Sequence, residues 1–173
     1  LMPTNIYGPN DKYNPKDSHV IPGLIYKFYK AKKEKKKFVN LWGTGKPLRE
    51  FLYSEDLAKA IYLILKTSKN KIKKIFKKEF PLINIGGSKN ISIKNLAFLI
   101  KKNINYNGKI KFDKKYPDGT YKKNLNSSKI NKFNWKPEIN LKIGIKKTID
   151  DFKLKYDAWH TDCYFNNIVS IDN

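Results

Sequence analysis

Trp42-Gly43-Thr44-Gly45-Lys46-Pro47-Leu48-Arg49-Glu50-Phe51-Leu52-Tyr53 reads as the end of one strand, a glycine turn and a second strand. The first strand begins at Phe38 and alternates through Val39, Asn40 and Leu41; the second is Glu50 to Tyr53. Two readings of the turn stand side by side. It is either a plain hairpin, or a device that sets an aromatic face and a guanidinium fork on neighbouring strands, a pairing suited to a base and its diphosphate. Downstream, Ser54 is a candidate N-cap, with Glu55 and Asp56 favourably placed at a helix start. The buried face of that helix is expected to be Leu57, Ile61, Ile64 and Leu65.

Upstream, Leu1 to Pro9 reads as the tail of a strand entering a Gly-Pro turn, and the chain is expected to be a fragment. Val20, Ile21, Leu24, Ile25 and Phe28 recur at helical spacing from His19 to about Lys33, with Pro22 tolerable in the first turn. Beyond the second helix, Thr67 to Lys78 is lysine-rich with few apolar anchors and is expected to be a surface insertion. Pro81 to Ile85 suits a buried strand closed by Gly86-Gly87, and Ser92 caps a helix with Leu96, Ala97, Ile100 and Ile104 inward. Lys109 to Asp113 alternates as a strand, Lys114 to Lys123 is loop, and Asn140 caps a last helix carrying Leu141, Ile145, Ile149 and Phe152. After Tyr156 the pattern dissolves, so residues 157–173 are expected to be a peripheral tail. Alternating helices and strands indicate an α/β or mixed α+β unit.

Composition narrows the function. The chain has 173 residues, 40% of them hydrophobic, enough for a real core and too many for wholesale disorder. A single cysteine, Cys163, excludes an intramolecular disulfide and a thiolate-rich zinc site, and no metal is expected. Apolar runs such as Ala60 to Leu65 fall far short of a membrane span. No leader opens the chain, so it reads as soluble and cytoplasmic. The net charge of +22 comes from 37 Lys+Arg against 15 Asp+Glu, which suggests a nucleic-acid binder. Yet Arg49 is the only arginine, and arginine is what bidentate phosphate and base contacts favour. The lysines are spread through every kind of segment, as an AT-rich coding sequence produces, so no nucleic-acid partner is expected. The same bias singles out Arg49.

Three other positions carry candidate chemistry. His19 opens its helix after Ser18, either as a capping or partly buried residue or as an acid/base whose imidazole points into a cleft. Gly86-Gly87 is more simply a turn than a phosphate cradle. Pro117-Asp118-Gly119-Thr120 is first an ordinary turn, although Asp118 has the chemistry to accept from sugar hydroxyls. The chain contains neither a Gly-x-Gly-x-x-Gly fingerprint nor a P-loop, and His160 is assigned no role.

Pro3-Thr4-Asn5-Ile6-Tyr7-Gly8-Pro9, Ser18-His19-Val20-Ile21-Pro22, the stretch Trp42 to Tyr53 and Pro117-Asp118-Gly119-Thr120 together resemble the C-terminal half of the GDP-L-fucose synthases. Those enzymes are extended short-chain dehydrogenase/reductases of the NAD-dependent epimerase/dehydratase superfamily. The likeness runs in order from Leu1 to roughly Tyr156. It implies the last strands of a Rossmann-type sheet plus a smaller mixed α/β substrate-binding domain. It also implies 3,5-epimerisation of GDP-4-keto-6-deoxy-D-mannose followed by NADPH-dependent reduction at C4, with NADP(H) as cofactor and a homodimer as the assembly. By the same resemblance His19 is the acid and a cofactor contact, and Pro3, Thr4, Asn5 and Ile6 lie beside the nicotinamide. Lys27, Trp42, Arg49 and Asp118 contact the substrate, Lys27 standing where the family usually has an arginine. The resemblance places the glycine-rich NADP loop, a Ser/Tyr/Lys triad and the cysteine that partners the histidine before Leu1. The chain alone is therefore expected to be inactive.

Overall fold

A computed structural model describes residues 1–76, 80–87 and 89–161. In chain order the elements are β1 (Met2–Pro3), β2 (Asn5–Tyr7), α1 (Val20–Lys33), β3 (Phe38–Trp42), β4 (Leu48–Arg49), β5 (Phe51–Tyr53), α2 (Ser54–Lys66), α3 (Lys69–Phe76), β6 (Asn84–Ile85), β7 (Ile91–Ser92), α4 (Ile93–Ile104), β8 (Lys109–Asp113), β9 (Lys122–Lys123), α5 (Ser128–Asn131) and α6 (Leu141–Thr161). The α/β expectation holds. Strands β1 and β6 pair in parallel, as do β2 with β5 and β3 with β8. β4 is flanked by antiparallel β7 and parallel β9.

The helices form where local signals agree. Ser92 Oγ accepts from the Asn95 N–H at 3.1 Å, and Asn140 Oδ1 accepts from the Ile143 N–H at 3.0 Å, so both expected caps are made. Leu96, Ala97, Ile100 and Ile104 are all buried, as are Ile145, Ile149 and Phe152 of α6. With the inward side chains of α1 they build the larger core. A second core gathers Leu52, Ala60, Phe76, Ile83, Ile85, Ile130, Phe133 and Trp135. β5 divides the two: Phe51 and Tyr53 face the first core and Leu52 the second, because successive strand residues point to opposite faces.

Several expectations need correction. The glycine turn is not a hairpin: β3 pairs with β8 and β5 with β2, so the strands on either side of it lie in separate sheets. The second strand is also split into β4 and β5, with Glu50 between them. Ser54 does not cap α2, since Tyr53 holds that position without a side-chain hydrogen bond. The buried residues of α2 are Asp56 and Ala60, whereas Ile61 and Leu65 are exposed. Within the segment expected to be a surface insertion, Lys69–Phe76 form helix α3, whose lysines are exposed and whose Ile72, Ile75 and buried Phe76 pack on the second core. The strand expected over Pro81 to Ile85 shortens to Asn84–Ile85, and α6 continues past Tyr156 to Thr161. Cys163 and the rest of 162–173 lie outside the described residues, as does the side chain of His160.

Candidate active site

The cleft begins where β2 runs into the Gly8-Pro9 turn. Thr4, Asn5, Ile6, Tyr7, Gly8, Pro9, Asp11, His19 and Ser54 line a cavity of about 480 Å³. The polar side chains of Thr4 and Asn5 are oriented by one acceptor, the backbone carbonyl of Glu50, at 3.2 and 2.8 Å. Glu50 is itself buried and accepts from the Leu125 N–H at 3.0 Å. Pro3 sits just outside the cavity, paired with Ile85. Tyr7 is not a base here. Burial, then the nearby Tyr53 and Asp56, push its phenol far above the ordinary value and keep it neutral.

His19 is the N-cap residue of α1, and its imidazole makes no capping hydrogen bond. It also lines a second cavity of about 440 Å³, shared with Lys16, Ser18, Lys27, Leu41 and Trp42 among others. The two cavities therefore meet at His19. Burial lowers the pKa of Lys27 from its ordinary value, and its Nζ stands 5.4 Å from the centroid of the Trp42 ring, within cation–π range. Lys27 also borders a third cavity of about 580 Å³ with Lys36, Lys37, Phe38, Val39 and Asn40.

Arg49 and Asp118 line none of these cavities. They are instead part of a zipped pair of loops. Tyr116 stacks on Trp42 with ring centroids 4.7 Å apart. Asp118 accepts from the Thr44 N–H at 2.8 Å and from the Thr44 hydroxyl at 2.5 Å. Thr120 offers its carbonyl to Arg49 Nη1 at 2.7 Å. Residues 116, 118 and 120 thus engage Trp42, Thr44 and Arg49 in turn, one within the glycine turn and one on either side of it. The Thr44 hydroxyl and then its N–H hold the Asp118 carboxyl below the ordinary carboxylate value. Sequence reasoning paired Trp42 with Arg49 and quoted Thr44 and Thr120 within motifs, but it assigned no role to Thr44, Tyr116 or Thr120, because stacking partners and backbone acceptors follow no spacing rule. Asp11 was missed because no local pattern shows that its loop comes to line one cavity with His19. Gly86-Gly87 is a packing feature: a Cβ on Gly87 would fall 1.8 Å from the Phe51 carbonyl oxygen.

The loop zipper yields a prediction at Gly43. Its φ is +76°, and an added Cβ would fall 2.2 Å from Asp118 Oδ1. Gly43→Ala is expected to cost about 1–2 kcal/mol for the left-handed backbone alone and to displace Asp118 from Thr44. Denaturant unfolding reads the first effect, and loss of the Trp42–Tyr116 stack in the tryptophan emission reads the second. A variant with native stability and native emission would show that the loop contact is unimportant.

Comparison with known proteins decides the family. Residues 1–86 match the NAD dependent epimerase/dehydratase family. The probable GDP-L-fucose synthase 1 of Oryza sativa subsp. japonica is 41% identical over 147 residues, covering 85% of this chain and 42% of the relative. The chain belongs to the NAD-dependent epimerase/dehydratase family. Another curated relative, the GDP-L-fucose synthase of Escherichia coli strain K12, is 36% identical over 159 residues, 92% of this chain and 50% of its own length. Among solved structures, a GDP-L-fucose synthetase from Naegleria fowleri bound to NADP superposes with a TM-score of 0.78 at 32% identity, covering 91% of this chain and 47% of that one. This epimerase/dehydratase chain spans about half the length of the curated relatives it matches.

Proposed function

We propose that this chain forms the sugar-nucleotide side of a GDP-L-fucose synthase, which epimerises GDP-4-keto-6-deoxy-D-mannose at C3 and C5 and reduces it at C4. The observation that carries the reading is the meeting of two cavities at His19. One is walled by the Thr4–Ile6 segment and the other by Lys27 and Trp42, so one histidine borders both a cofactor side and a sugar side. The 4-keto group acidifies the C3 and C5 protons; in this reading a base outside this chain removes each of them, and His19 supplies the proton that returns on the opposite face of the enolate. Lys27 offers a positive charge to the diphosphate and Trp42 an apolar face. The Arg49 fork is fixed by the carbonyls of Leu48 and Thr120. Asp118 holds the loop that brings Thr120 to it and is itself within the proposed sugar contacts.

The chain's residues fit only the nicotinamide end of NADP(H). Thr4, Asn5 and Ile6 wall a cleft open beside His19, whereas the sequence has no glycine-rich fingerprint for the pyrophosphate. When bound, NADPH supplies the hydride for C4. In the same reading the dinucleotide-binding half lies outside this chain, and the intact enzyme is a cytoplasmic homodimer. Among the described residues no helix is long and apolar enough to cross a membrane.

Thermal melting of the intact protein tests the assignment. GDP at a hundredfold excess over its dissociation constant is expected to add about 2.7 kcal/mol of stability, with UDP and dTDP adding little. Equal stabilisation by UDP or dTDP would move the chain to another nucleotide-sugar epimerase, dehydratase or reductase of the superfamily. Salt-sensitive nucleic-acid binding with no GDP preference would sink the enzyme reading in favour of a basic module.

A further inference from the structure

We propose that Asp11 is the positioning residue of His19, a carboxylate that steadies the imidazole in its proton-donating form for the C3 and C5 steps. This rests on the reading of the chain given above. Asp11 and His19 line the same cavity, and among the described residues Asp11 is the only carboxylate in the lining of that cavity or the adjoining one that His19 also borders. The other charged side chains there are Lys16 and Lys27. Both oppose a positive imidazole, and so does the positive end of α1 on which His19 sits. Asp11 is the negative side chain that shares the cavity with His19 and faces these three positive influences.

Asp11 is held where this requires it. Asn10 adopts a left-handed φ of 62°, its N–H donates to Asp151 Oδ2 at 2.9 Å, and its Oδ1 accepts from Lys155 Nζ at 2.5 Å. The loop is thereby fixed to α6. Burial raises the Asp11 carboxyl above the ordinary carboxylate value, while the Lys12 N–H, the charge of His19 and the Gly8 N–H act against that rise. Lys12, the nearest lysine in sequence, is paired with Asp17 instead. Asp11 and His19 thus share one cleft, and the influence of His19 on the Asp11 carboxyl is a lowering one.

The test uses the intact enzyme and two readouts. Diethyl pyrocarbonate acylates neutral imidazole, so its rate at His19, followed by peptide mass spectrometry, needs no substrate. Asp11→Asn is expected to raise that rate about three- to tenfold near pH 6.5, and Asp11→Glu to restore it. In the second readout, solvent-deuterium incorporation at C3 and C5 is expected to fall about tenfold. Its alkaline limb should move to lower pH with KM for the sugar nucleotide unchanged. A folded Asp11→Asn protein with native acylation, or with a native exchange profile, overturns the proposal. If that variant does not fold, Asp11→Ser answers the same two questions. Native exchange in His19→Asn would instead overturn the parent reading, and the acylation rates would still decide whether Asp11 governs His19.

Discussion

Asp56→Ala is expected to destabilise the fold by about 3 kcal/mol, the scale for losing charged hydrogen bonds and stranding their donors. Asp56 is 1% exposed. One carboxylate oxygen accepts from the Glu138 N–H at 3.1 Å and the other from the Ile139 N–H at 2.9 Å. The residue stands in the first turn of α2, where a negative charge is favoured by the helix dipole. The pair of hydrogen bonds ties the segment entering α6 to α2, across a long stretch of sequence. Asp56→Asn is expected to recover little, because its amide group presents donors to one of the two N–H groups. Urea unfolding with an unchanged m-value measures the loss directly. A cost below about 0.5 kcal/mol, the size of an ordinary surface substitution, would show that the carboxylate does not hold the two elements together.

The second large effect is at His19. His19→Asn is expected to slow solvent-deuterium exchange at C3 and C5 by about 10²- to 10⁴-fold in the intact enzyme, the range for removing a positioned acid. Asparagine is a good N-cap, so α1 should keep its start and the lesion stays chemical. GDP affinity is expected to hold within about twofold, because Lys27, Trp42 and Arg49 are untouched. Hydride transfer to an already epimerised 4-keto sugar should suffer far less than exchange. Measuring exchange and transfer separately decides the matter: equal losses in both would make His19 a general scaffold of the cleft rather than its acid.

These two residues differ in how far the sequence announced them. His19 stood at a helix start that periodicity alone defined, since Ile21, Leu24, Ile25 and Phe28 are buried in α1 at the expected spacing. Asp56 was visible only as a favourable charge in the first turn of a helix. Its burial, and its two partners near Ile139, depend on a chain segment that no local pattern brings near it. The same limit explains the errors on α2. Leu57, Ile61, Ile64 and Leu65 form an apolar stripe, but Leu65 is 79% exposed while Ala60 is fully buried, because a stripe does not say which neighbour covers it. Segment 67–78 was judged by its lysines, whereas Phe76 and two isoleucines sufficed to seat a helix.

Sequence by itself determined the α/β class, helices α1, α4 and α6, the caps at Ser92 and Asn140, the alternating strands β3 and β8, and the candidates His19, Trp42 and Arg49. The elements and caps rest on backbone and side-chain preferences that act over a few residues, whereas Arg49 stands out as the only arginine of the chain. Tertiary structure decided that the glycine turn separates sheets rather than closing a hairpin, because β3 takes its partner from Lys109–Asp113. It also decided that Tyr116, Asp118 and Thr120 clasp that turn, and that Asp11 shares a cleft with His19. Strand pairing, ring stacking and charge proximity depend on distance in space, and residues far apart in sequence acquire that distance only when the cores close.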